Sequence, residues 1–349
     1  MKMKHSLYAV LLAGGKGTRL WPLSTDGQSK SFIRFAGRKA LMQAVLERIK
    51  AVASRRRTVV VIDNAKTPLL KEFLQGIPKR NILIEPFGRN TAAAVGLAAI
   101  KLKAEDIMLV LPVDQFLEDV RDFEKTVGEG MRFIEKEPDK LLCLCTKPAY
   151  ASESFGYVKI RSKVQGKVFS IDKFIEKPSL KVALKLIKKP NFLWNSGMFM
   201  FKAKTILNAM KKHAPLLYKN LQTINKTPSS IKGAYSRIKS ISLDYQVMEK
   251  AKNVYCLKGQ FRWHDIGKWT SLEKVLSSKG KKKDISGNIC IGKTATLDVY
   301  DSLIYNTGSK TIGAIGLKDI IVVNTENGVL VCKKNEAERV RELVRRIKP

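Results

Sequence analysis

The sequence predicts an α/β fold: a Rossmann-like, mostly parallel mixed sheet flanked by helices, followed by a small β-rich C-terminal domain. Two observations lead to this prediction. Short runs rich in Val, Ile and Leu recur in the first part of the chain, and helical patterns lie between them. Crossovers between parallel strands are right-handed, and ligands bind beyond the carboxyl ends of such strands. Candidate site residues are therefore expected where the apolar runs end.

The elements can be placed in order along the chain. A helix is expected from Leu41, where apolar residues recur on one face, and another after Asn90 or Thr91, either of which is a suitable N-cap. From about Phe155 longer extended pieces continue the sheet, with helices at 203–212 and 243–250. Strands in the first part are expected at 8–12, 58–63, 81–85, 107–114 and 141–145.

A lysine- and glycine-rich segment, SSKGKKKD, separates two predicted domains. Residues 1–283 form the large α/β domain. Residues 284–349 form the small β-rich domain, which ends in a helix with the sequence NEAERVRELVRRI.

Composition limits the classes of function. The chain has 349 residues, 44% of them hydrophobic, and 65 Lys and Arg against 31 Asp and Glu give a net charge of +34. This charge would attract polyanions, anionic membranes or phosphorylated small molecules, and the alternative is a solvated cationic surface with no such partner. A nucleic-acid-binding protein would show a recognition module or interleaved aromatic and basic residues, and the sequence has neither. The five cysteines lack zinc spacing and predict reduced thiols. No apolar run is long enough for a membrane span and no export signal is evident, so a cytoplasmic location is expected.

The stretch LLAGGKGTRLWPLS, residues 11–24, predicts a phosphate-binding turn after a buried strand. Its spacing fits neither the Walker loop nor the dinucleotide fingerprint. Gly14, Gly15 and Gly17 nevertheless leave backbone N–H groups open to an anion, and Arg19 offers a planar fork for phosphate oxygens. These features favour a nucleoside triphosphate as the ligand. The alternative is a glycine-rich turn that binds nothing.

Seven motifs extend this observation over most of the chain. Together with Lys30 in SKSF, their order resembles that of the sugar nucleotidylyltransferases, and most closely that of the mannose-1-phosphate guanylyltransferases. The motifs are GGKGTRLWPLS, EPFGRNTAAA, LPVDQ, FIEKP, WNSGMF, DYQVMEK and WHDIGKW. The resemblance implies GTP and mannose 1-phosphate as substrates, and Mg²⁺ as the cofactor.

Two carboxylates are candidate ligands of that metal. Asp114 follows an apolar strand and Asp265 precedes a Gly-Lys-Trp turn, and carboxylate oxygens suit a hard cation. Without the resemblance, Asp114 would equally well cap a helix and Asp265 start a turn. The resemblance assigns both residues to magnesium.

The nucleotide and the sugar phosphate are assigned separate residues. Guanine presents two adjacent donors, N1–H and the 2-amino group, which one carboxylate could accept, and Glu85 ends a predicted strand. Alternatively, Glu85 is a polar strand end beside Pro86. The resemblance implies that Lys177 binds the sugar phosphate and Glu176 the sugar hydroxyls. The remaining candidates are Thr18, Arg89, Asn90 and Thr91 for the nucleotide and Gly156, Tyr157, Asn195 and Gly197 for the sugar phosphate.

The reaction implied is an in-line attack of the sugar phosphate on the α-phosphorus of GTP. Such a nucleophile is already anionic, so positioning and charge stabilisation by Arg19, Lys30 and Lys177 matter more than a general base. Lys268 departs from the family pattern, which has a small residue there. The resemblance implies a short form without the isomerase domain, and a homodimer is possible. Alternatives are another sugar 1-phosphate or nucleotide, or a catalytically silent regulatory paralogue.

Overall fold

A nine-stranded mixed sheet forms the centre of the first of two compact units in the computed structural model. The structure describes residues 6–15, 17–25, 30–32, 34, 39–70, 72–278 and 283–347. The strands are β1 (Leu7–Leu12), β2 (Thr58–Asp63), β3 (Ile82–Glu85), β4 (Ile107–Pro112), β5 (Gln115–Leu117), β6 (Leu141–Thr146), β7 (Gly156–Gln165), β8 (Val168–Ile175), β9 (Phe192–Lys202), β10 (Val254–Lys258), β11 (Trp263–Asp265), β12 (Ile289–Ile291), β13 (Thr294–Leu297), β14 (Leu303–Asn306), β15 (Ile312–Ile315), β16 (Ile320–Thr325) and β17 (Gly328–Lys333).

Helices of three kinds connect the strands. The α-helices are α1 (Leu41–Arg48), α2 (Asn90–Ala99), α3 (Val120–Lys136), α4 (Leu180–Leu186), α5 (Ala203–His213), α6 (Pro215–Lys226), α7 (Ile231–Arg237), α8 (Trp269–Ser278) and α9 (Val340–Ile347). One π-helical segment spans Asp244–Met248. The 3-10 segments are Thr18–Leu20, Lys30–Phe32, Ile49–Ala51, Arg55–Arg57, Asn64–Leu70, Lys79–Asn81, Pro228–Ser230 and Lys334–Arg339.

The sheet order is β3-β2-β1-β4-β9-β6-β10-β8-β7. Strands β1 to β4 are mutually parallel, β6 and β10 are parallel, and β9 runs antiparallel to β4, β6 and β7. The predicted mostly parallel mixed sheet is therefore confirmed. Because β1, β3 and β4 run the same way, Gly14 and Glu85 both lie at the carboxyl end of this part of the sheet.

The core of the first unit packs an alanine-rich helix against the sheet. Residues 92–99 of α2 are all buried, and small side chains there allow other helices to approach closely. A Cβ on Gly96 would lie 2.3 Å from Cδ1 of Leu221 in α6, so this position tolerates no side chain without movement.

The second unit combines residues 15–45, 114–116 and 264–347 of the described chain. Strands β12, β14 and β16 stack in parallel, β13 pairs with β15, and β17 closes the stack antiparallel to β16. Leu20, Leu23 and Trp269 are buried in the same core as the inward-facing strand residues. These compact units cut across the predicted boundary between residues 283 and 284, which stays a prediction about sequence domains.

Asparagines spaced 18 residues apart in sequence mark the turns of this parallel stack. Asn288 and Asn306 are buried, and Nδ2 of Asn324 donates to Oδ1 of Asn306 at 3.1 Å. Nδ2 of Asn306 also donates to the carbonyls of Lys293 and Lys310, at 2.7 Å each. These bonds tie the corners of the stack together by giving the backbone carbonyls of Lys293 and Lys310 a side-chain donor.

Three sequence predictions need refinement. The helix at 243–250 is confirmed in position, but its central turns are π-helical rather than α-helical. The strand expected to reach residue 114 ends at Pro112, which has no N–H to continue a ladder. Asn90 has φ of +68° and its Oδ1 accepts from the Thr91 amide, so it caps the adjacent amide rather than one a turn further on. In the described ranges, no helix is both long and apolar enough to cross a membrane.

Candidate functional site

Glu85, the predicted guanine ligand, is a buried carboxylate at the end of β3. Its side chain lies opposite Asp63 in the register of β2 and β3, and the residue is only 4% exposed. Burial raises the pKa of Glu85 to about 7, and the charge of Asp63 adds to the rise. Oε1 of Glu85 and the hydroxyl of Tyr235 lack a hydrogen bond of standard geometry within the described residues, although each influences the pKa of the other. A buried acceptor in this state suits a ligand that brings its own donors.

The residues predicted to support Glu85 are engaged within the protein. Nε of Arg89 donates to the carbonyl of Tyr235 at 3.0 Å, and its guanidinium lies 4.7 Å above the ring of Phe87. Oγ1 of Thr91 accepts from the Leu243 amide at 2.9 Å. These contacts tie the start of α2 to the segments that precede the π-helix. These contacts support a role for Arg89 and Thr91 in positioning the protein around Glu85.

A cluster of acidic and amide side chains surrounds the predicted sugar residues. This acid–amide cluster consists of Glu176, Lys177, Asn195, Asp244 and Glu249. Nζ of Lys177 donates to Oε1 of Glu176 at 2.5 Å, and Oε1 of Glu249 accepts from the Glu176 amide at 3.0 Å. The Glu176 side chain is 5% exposed, whereas that of Lys177 is half exposed. Lys177 has φ of +48°, a left-handed conformation that sets the direction of its side chain just before Pro178.

Burial and like charge raise the pKa values of two carboxyl groups in the acid–amide cluster. Burial raises the pKa of Glu176 to about 7, and the charge of Asp244 raises it further while Lys177 opposes the rise. Burial also raises the pKa of Asp244. For Lys177, burial lowers the pKa, but the ion pair with Glu176 outweighs burial and the pKa is raised. Lys177 therefore remains charged, while Glu176 titrates near neutrality.

Gly156 leaves the space that Glu176 fills. A Cβ on Gly156 would lie 2.3 Å from Oε2 of Glu176, and that oxygen has no hydrogen-bond partner within the described residues. The predicted role of Tyr157 fares differently: its side chain is fully buried, and its hydroxyl accepts from the Ser152 amide and donates to the Ser152 carbonyl. The side chain of Tyr157 thus braces the preceding turn rather than presenting a hydroxyl to a sugar.

The amide of Asn195 is also used within the protein. Nδ2 donates to Oδ1 of Asp244 at 2.7 Å, and Oδ1 accepts from the Gly197 amide at 3.1 Å. Gly197 has φ of +72°, which favours glycine. Asn195 was expected to hydrogen-bond the sugar, but its bonds instead hold the backbone at Gly197.

The glycine turn and its cations are described in the second unit, apart from Gly14. A Cβ on Gly14 or on Gly15 would meet no atom of the described residues within 4 Å, so none of those residues crowds either glycine. Gly15 and Gly17 have φ of +103° and +65°, and Thr18 begins the 3-10 segment that follows. The backbone of Lys30 starts another 3-10 segment, but its side chain lies outside the described part of the chain.

Arg19 belongs to a cluster of two cations and one acid. This cation cluster consists of Arg19, Lys268 and Glu338. Nη1 of Arg19 donates to Oε2 of Glu338 at 3.0 Å, and Nζ of Lys268 donates to Oε1 at 2.9 Å. A Cβ on Gly267 would lie 2.9 Å from Oδ2 of Asp265 and 3.2 Å from Nη2 of Arg19. Gly267 thus allows a predicted metal ligand and a predicted phosphate cation to approach the same piece of backbone.

Asp114 and Asp265, the predicted metal ligands, are partly buried and belong to the same compact unit. Among the described residues, no group of three or more His, Cys, Asp or Glu side chains is arranged to hold a metal. A pair of carboxylates still fits Mg²⁺, because this ion is commonly held by one or two carboxylates together with water and substrate phosphates. The donor set is therefore compatible with magnesium and does not resemble a structural metal site.

Sequence reasoning gave no role to three residues of these clusters: Asp244, Glu249 and Glu338. Asp244 begins the motif DYQVMEK, whose position in the chain was noted without a role for the carboxylate. Glu338 lies 319 residues from Arg19 in sequence, and nothing in the terminal helix pattern indicated that pairing. Spacing within a motif cannot reveal a contact between segments this far apart.

Known proteins align with the chain over nearly its whole length. Residues 8–281 match the family described as nucleotidyl transferase, and residues 292–347 match the MannoseP isomerase/GMP-like beta-helix domain. A mannose-1-phosphate guanylyltransferase of Escherichia coli is 30% identical, in an alignment that covers 99% of this chain and 76% of that protein. The alginate biosynthesis protein AlgA of Pseudomonas aeruginosa is 32% identical, with coverage of 96% and 71%. A crystal structure described as mannose-1-phosphate geranyltransferase from Thermus thermophilus has a TM-score of 0.87 and 30% identity, and the match covers 99% of this chain and 100% of that one.

Proposed function

We infer that this chain, which belongs to the nucleotidyl transferase family and to its mannose-1-phosphate guanylyltransferase branch, forms GDP-mannose and pyrophosphate from GTP and mannose 1-phosphate. The observation that carries the choice of base is Glu85, a buried carboxylate whose Oε1 has no hydrogen bond of standard geometry to any residue that the structure describes. Guanine brings two adjacent donors to such an acceptor, whereas adenine would leave it unpaired. Failure to pair a buried group rejects the wrong base strongly.

The reaction needs positioned charge more than acid or base catalysis. An oxygen of the sugar phosphate attacks the α-phosphorus of GTP, a new oxygen–phosphorus bond forms, and the bond to the β-phosphate breaks to release pyrophosphate. We assign Lys177 to the attacking phosphate and Arg19, with Lys30, to the triphosphate. In the free protein both Lys177 and Arg19 pair with carboxylates, so each must exchange that partner for a phosphate.

Asp114 and Asp265 are the residues we assign to magnesium. A bound divalent ion would neutralise charge on the triphosphate and the departing pyrophosphate. The chain supplies partly buried carboxylates for this purpose, and Gly267 keeps the backbone beside Asp265 free of a side chain.

The sugar subsite is assigned to the acid–amide cluster. Oε2 of Glu176, which has no hydrogen-bond partner within the described residues, is assigned to sugar hydroxyls, and Gly156 leaves the room that this carboxyl group occupies. We assign Asn195 and Gly197 to shaping the wall, and Tyr157 to bracing it. For the nucleotide, the backbone at Gly14, Gly15, Gly17 and Thr18 is assigned to phosphates, and Arg89, Asn90 and Thr91 to the surroundings of the base.

Pyrophosphate release from a panel of nucleotides crossed with sugar 1-phosphates tests the activity. GTP with mannose 1-phosphate should give the highest kcat/KM. A different best pair would replace the substrate assignment, and no turnover with any pair would favour a silent paralogue.

Asp114→Asn and Asp265→Asn test the metal assignment. Each should abolish most magnesium-dependent release while the circular dichroism spectrum and thermal midpoint stay close to those of the wild type. Asp139→Asn removes the same charge at an exposed residue before β6 and is the matched control. Unchanged turnover in both variants would remove the metal assignment.

The remaining assignments concern the state of the protein. We propose a cytoplasmic location, with the nucleotide substrates, and assembly as a homodimer. We retain 1–283 and 284–349 as the sequence domains. Cell fractionation and sedimentation velocity measure the first two, and expression of residues 1–283 alone measures the third.

A further inference from the structure

Strand β9 carries a bulge within the acid–amide cluster. Against β6, Met198 pairs with Leu144 but Asn195 pairs with Cys145, so Ser196 and Gly197 form the extra length. Oγ of Ser196 donates to the Leu144 carbonyl at 2.6 Å, which fixes one side of the bulge. Bulges of this kind redirect side chains and backbone near functional sites.

Asn195 fixes the other side of the bulge, and Asp244 decides how Asn195 is oriented. A carboxylate can only accept and a backbone amide can only donate, so the amide must point Nδ2 to Asp244 and Oδ1 to Gly197. Asn195 is 5% exposed, which leaves little room for another orientation. Without the Asp244 carboxylate, Nδ2 would lose a charge-assisted bond, and the orientation that holds Gly197 would lose its support.

Asp244 also acts on Glu176 by its charge. The groups that face Glu176 are Asp244 from the π-helical segment, Lys177 from the following turn, Glu249 beyond that segment, and the Cys143 thiol from β6. The positive charge of Lys177 compensates the charge of Glu176, and the negative charge of Asp244 still repels an ionised Glu176. Asp244 begins a π-helical segment, a local structure that is frequent at functional sites.

We propose that Asp244 is a positioning residue of the sugar 1-phosphate subsite, which orients Asn195 to hold the Gly197 bulge and places a second carboxylate beside Glu176. The proposal rests on the function inferred above. It identifies a residue that acts through Asn195 and Glu176 and thereby controls affinity for a hexose 1-phosphate.

The pH dependence follows from the charges. Ionised Glu176 accepts hydrogen bonds from sugar hydroxyls, so affinity for the sugar phosphate should rise as the pH passes the Glu176 pKa of about 7. Asp244→Asn removes the negative charge that helps to raise this pKa, so the pKa falls and the midpoint of the rise moves to lower pH. The ionisation of the sugar phosphate itself is common to both proteins and cancels in the comparison.

Steady-state kinetics of the wild type, Asp244→Asn, Asp244→Ala and the control Asp139→Asn test the proposal across neutral pH. Asp244→Ala should raise KM for mannose 1-phosphate about tenfold or more, as loss of a charge-assisted hydrogen bond implies. Asp244→Asn, which can still accept from Asn195, should recover most of that loss but keep the shifted pH midpoint. KM for GTP should change by less than about twofold in each variant, and Asp139→Asn should match the wild type throughout.

Two results would overturn the proposal: an unchanged KM for mannose 1-phosphate in Asp244→Ala, or a pH midpoint in Asp244→Asn equal to that of the wild type. The second result decides the question even if Asp244→Ala does not fold. Calorimetric titration of mannose 1-phosphate without GTP separates this proposal from the inferred activity. If the wild type binds the sugar phosphate but does not turn it over, the inferred activity is wrong. The role of Asp244 is then tested by the pH midpoint of sugar-phosphate binding in place of KM. A wild type that does not bind it overturns both.

Discussion

Glu338→Gln tests whether the cation cluster holds Arg19, the residue proposed to bind the triphosphate, in an ion pair that the nucleotide must displace. Glu338 accepts from both Arg19 and Lys268, so in the free protein its carboxylate occupies the place of an anion. A triphosphate that uses Arg19 must compete with it. Glutamine has nearly the same shape but no charge, and it releases both cations.

The magnitude follows from exposure. The side chains of Arg19, Lys268 and Glu338 are 35%, 35% and 45% exposed, so solvent screens both ion pairs. Pairs of this kind contribute about 0.2–1 kcal/mol each, so the two together contribute about 1 kcal/mol. Glu338→Gln should therefore lower the free energy of unfolding by about 1 kcal/mol and lower KM for GTP by about fivefold.

The pH dependence of stability gives an independent measure. Partial burial raises the pKa of Glu338, but the hydrogen bonds from Lys268 and Arg19 outweigh it and hold the pKa below its usual value. The stabilisation is therefore present above the pKa of the unfolded chain and is lost as the pH falls through the folded value. Urea unfolding of the wild type and variant should differ at neutral pH and converge in acid.

Glu342→Gln is the matched control, because it removes the same charge from α9 at a residue that pairs with Arg339 at 3.5 Å. Its KM for GTP should equal that of the wild type. If Glu338→Gln leaves KM for GTP unchanged or raises it, the carboxylate does not compete with the triphosphate and the reasoning fails. The difference in KM for GTP between the wild type and Glu338→Gln should also become smaller at high salt, because salt screens the ion pairs.

Three further substitutions are expected to change kinetic constants or the free energy of unfolding. Glu85→Gln should lower kcat/KM for GTP about 100-fold, because the variant loses the carboxylate that accepts from guanine. The folded pKa of about 7 exceeds the unfolded value, so the buried carboxylate destabilises the wild type increasingly as the pH rises towards 7. Urea unfolding above that pH should therefore show the variant to be more stable than the wild type. Gly156→Ala should raise KM for mannose 1-phosphate at least about tenfold and leave KM for GTP unchanged, because the alanine Cβ would displace Glu176. Gly128→Ala is the control, because a Cβ there meets only Arg132, at 3.7 Å, among the described residues. Arg48→Met should raise the free energy of unfolding by about 1 kcal/mol in the same assay. Nε and Nη2 of this buried residue have no partner in the described structure, and burial lowers its pKa to about 9. A less stable variant would mean that the contact of the guanidinium with the Phe123 ring, 5.3 Å away, stabilises the protein by more than the burial of the charge destabilises it.

Features set by local chemistry were predictable from the sequence. Continuous apolar runs indicated β1, β2 and β4 because strands of a parallel sheet are buried on both faces. A carboxylate directly after such a run, as at Glu85, indicated a polar group at the edge where ligands bind. The pattern of the chain thus located the candidate residues without giving their partners.

Features that depend on distant contacts were not predictable. Tyr157 and Asn195 were candidates for the sugar site, yet their polar atoms bind Ser152, Asp244 and Gly197. Whether a polar side chain faces a ligand or its own backbone depends on the neighbours that tertiary structure supplies. The π-helical geometry at Asp244 was equally hidden, because a helical period predicts a helix without its hydrogen-bond pattern.

The composition of the second unit has a consequence for how the chain matures during translation. Leu20 and Leu23 leave the ribosome early, but the strands and helix that bury them are encoded about 220 residues or more later in the chain. Until that late portion emerges, the nascent glycine turn has an uncovered apolar neighbourhood and few local contacts to hold it. The proposed nucleotide site should therefore form only after the strands of the second unit have emerged, and a ribosome stalled before residue 284 should carry a chain that chaperones still engage.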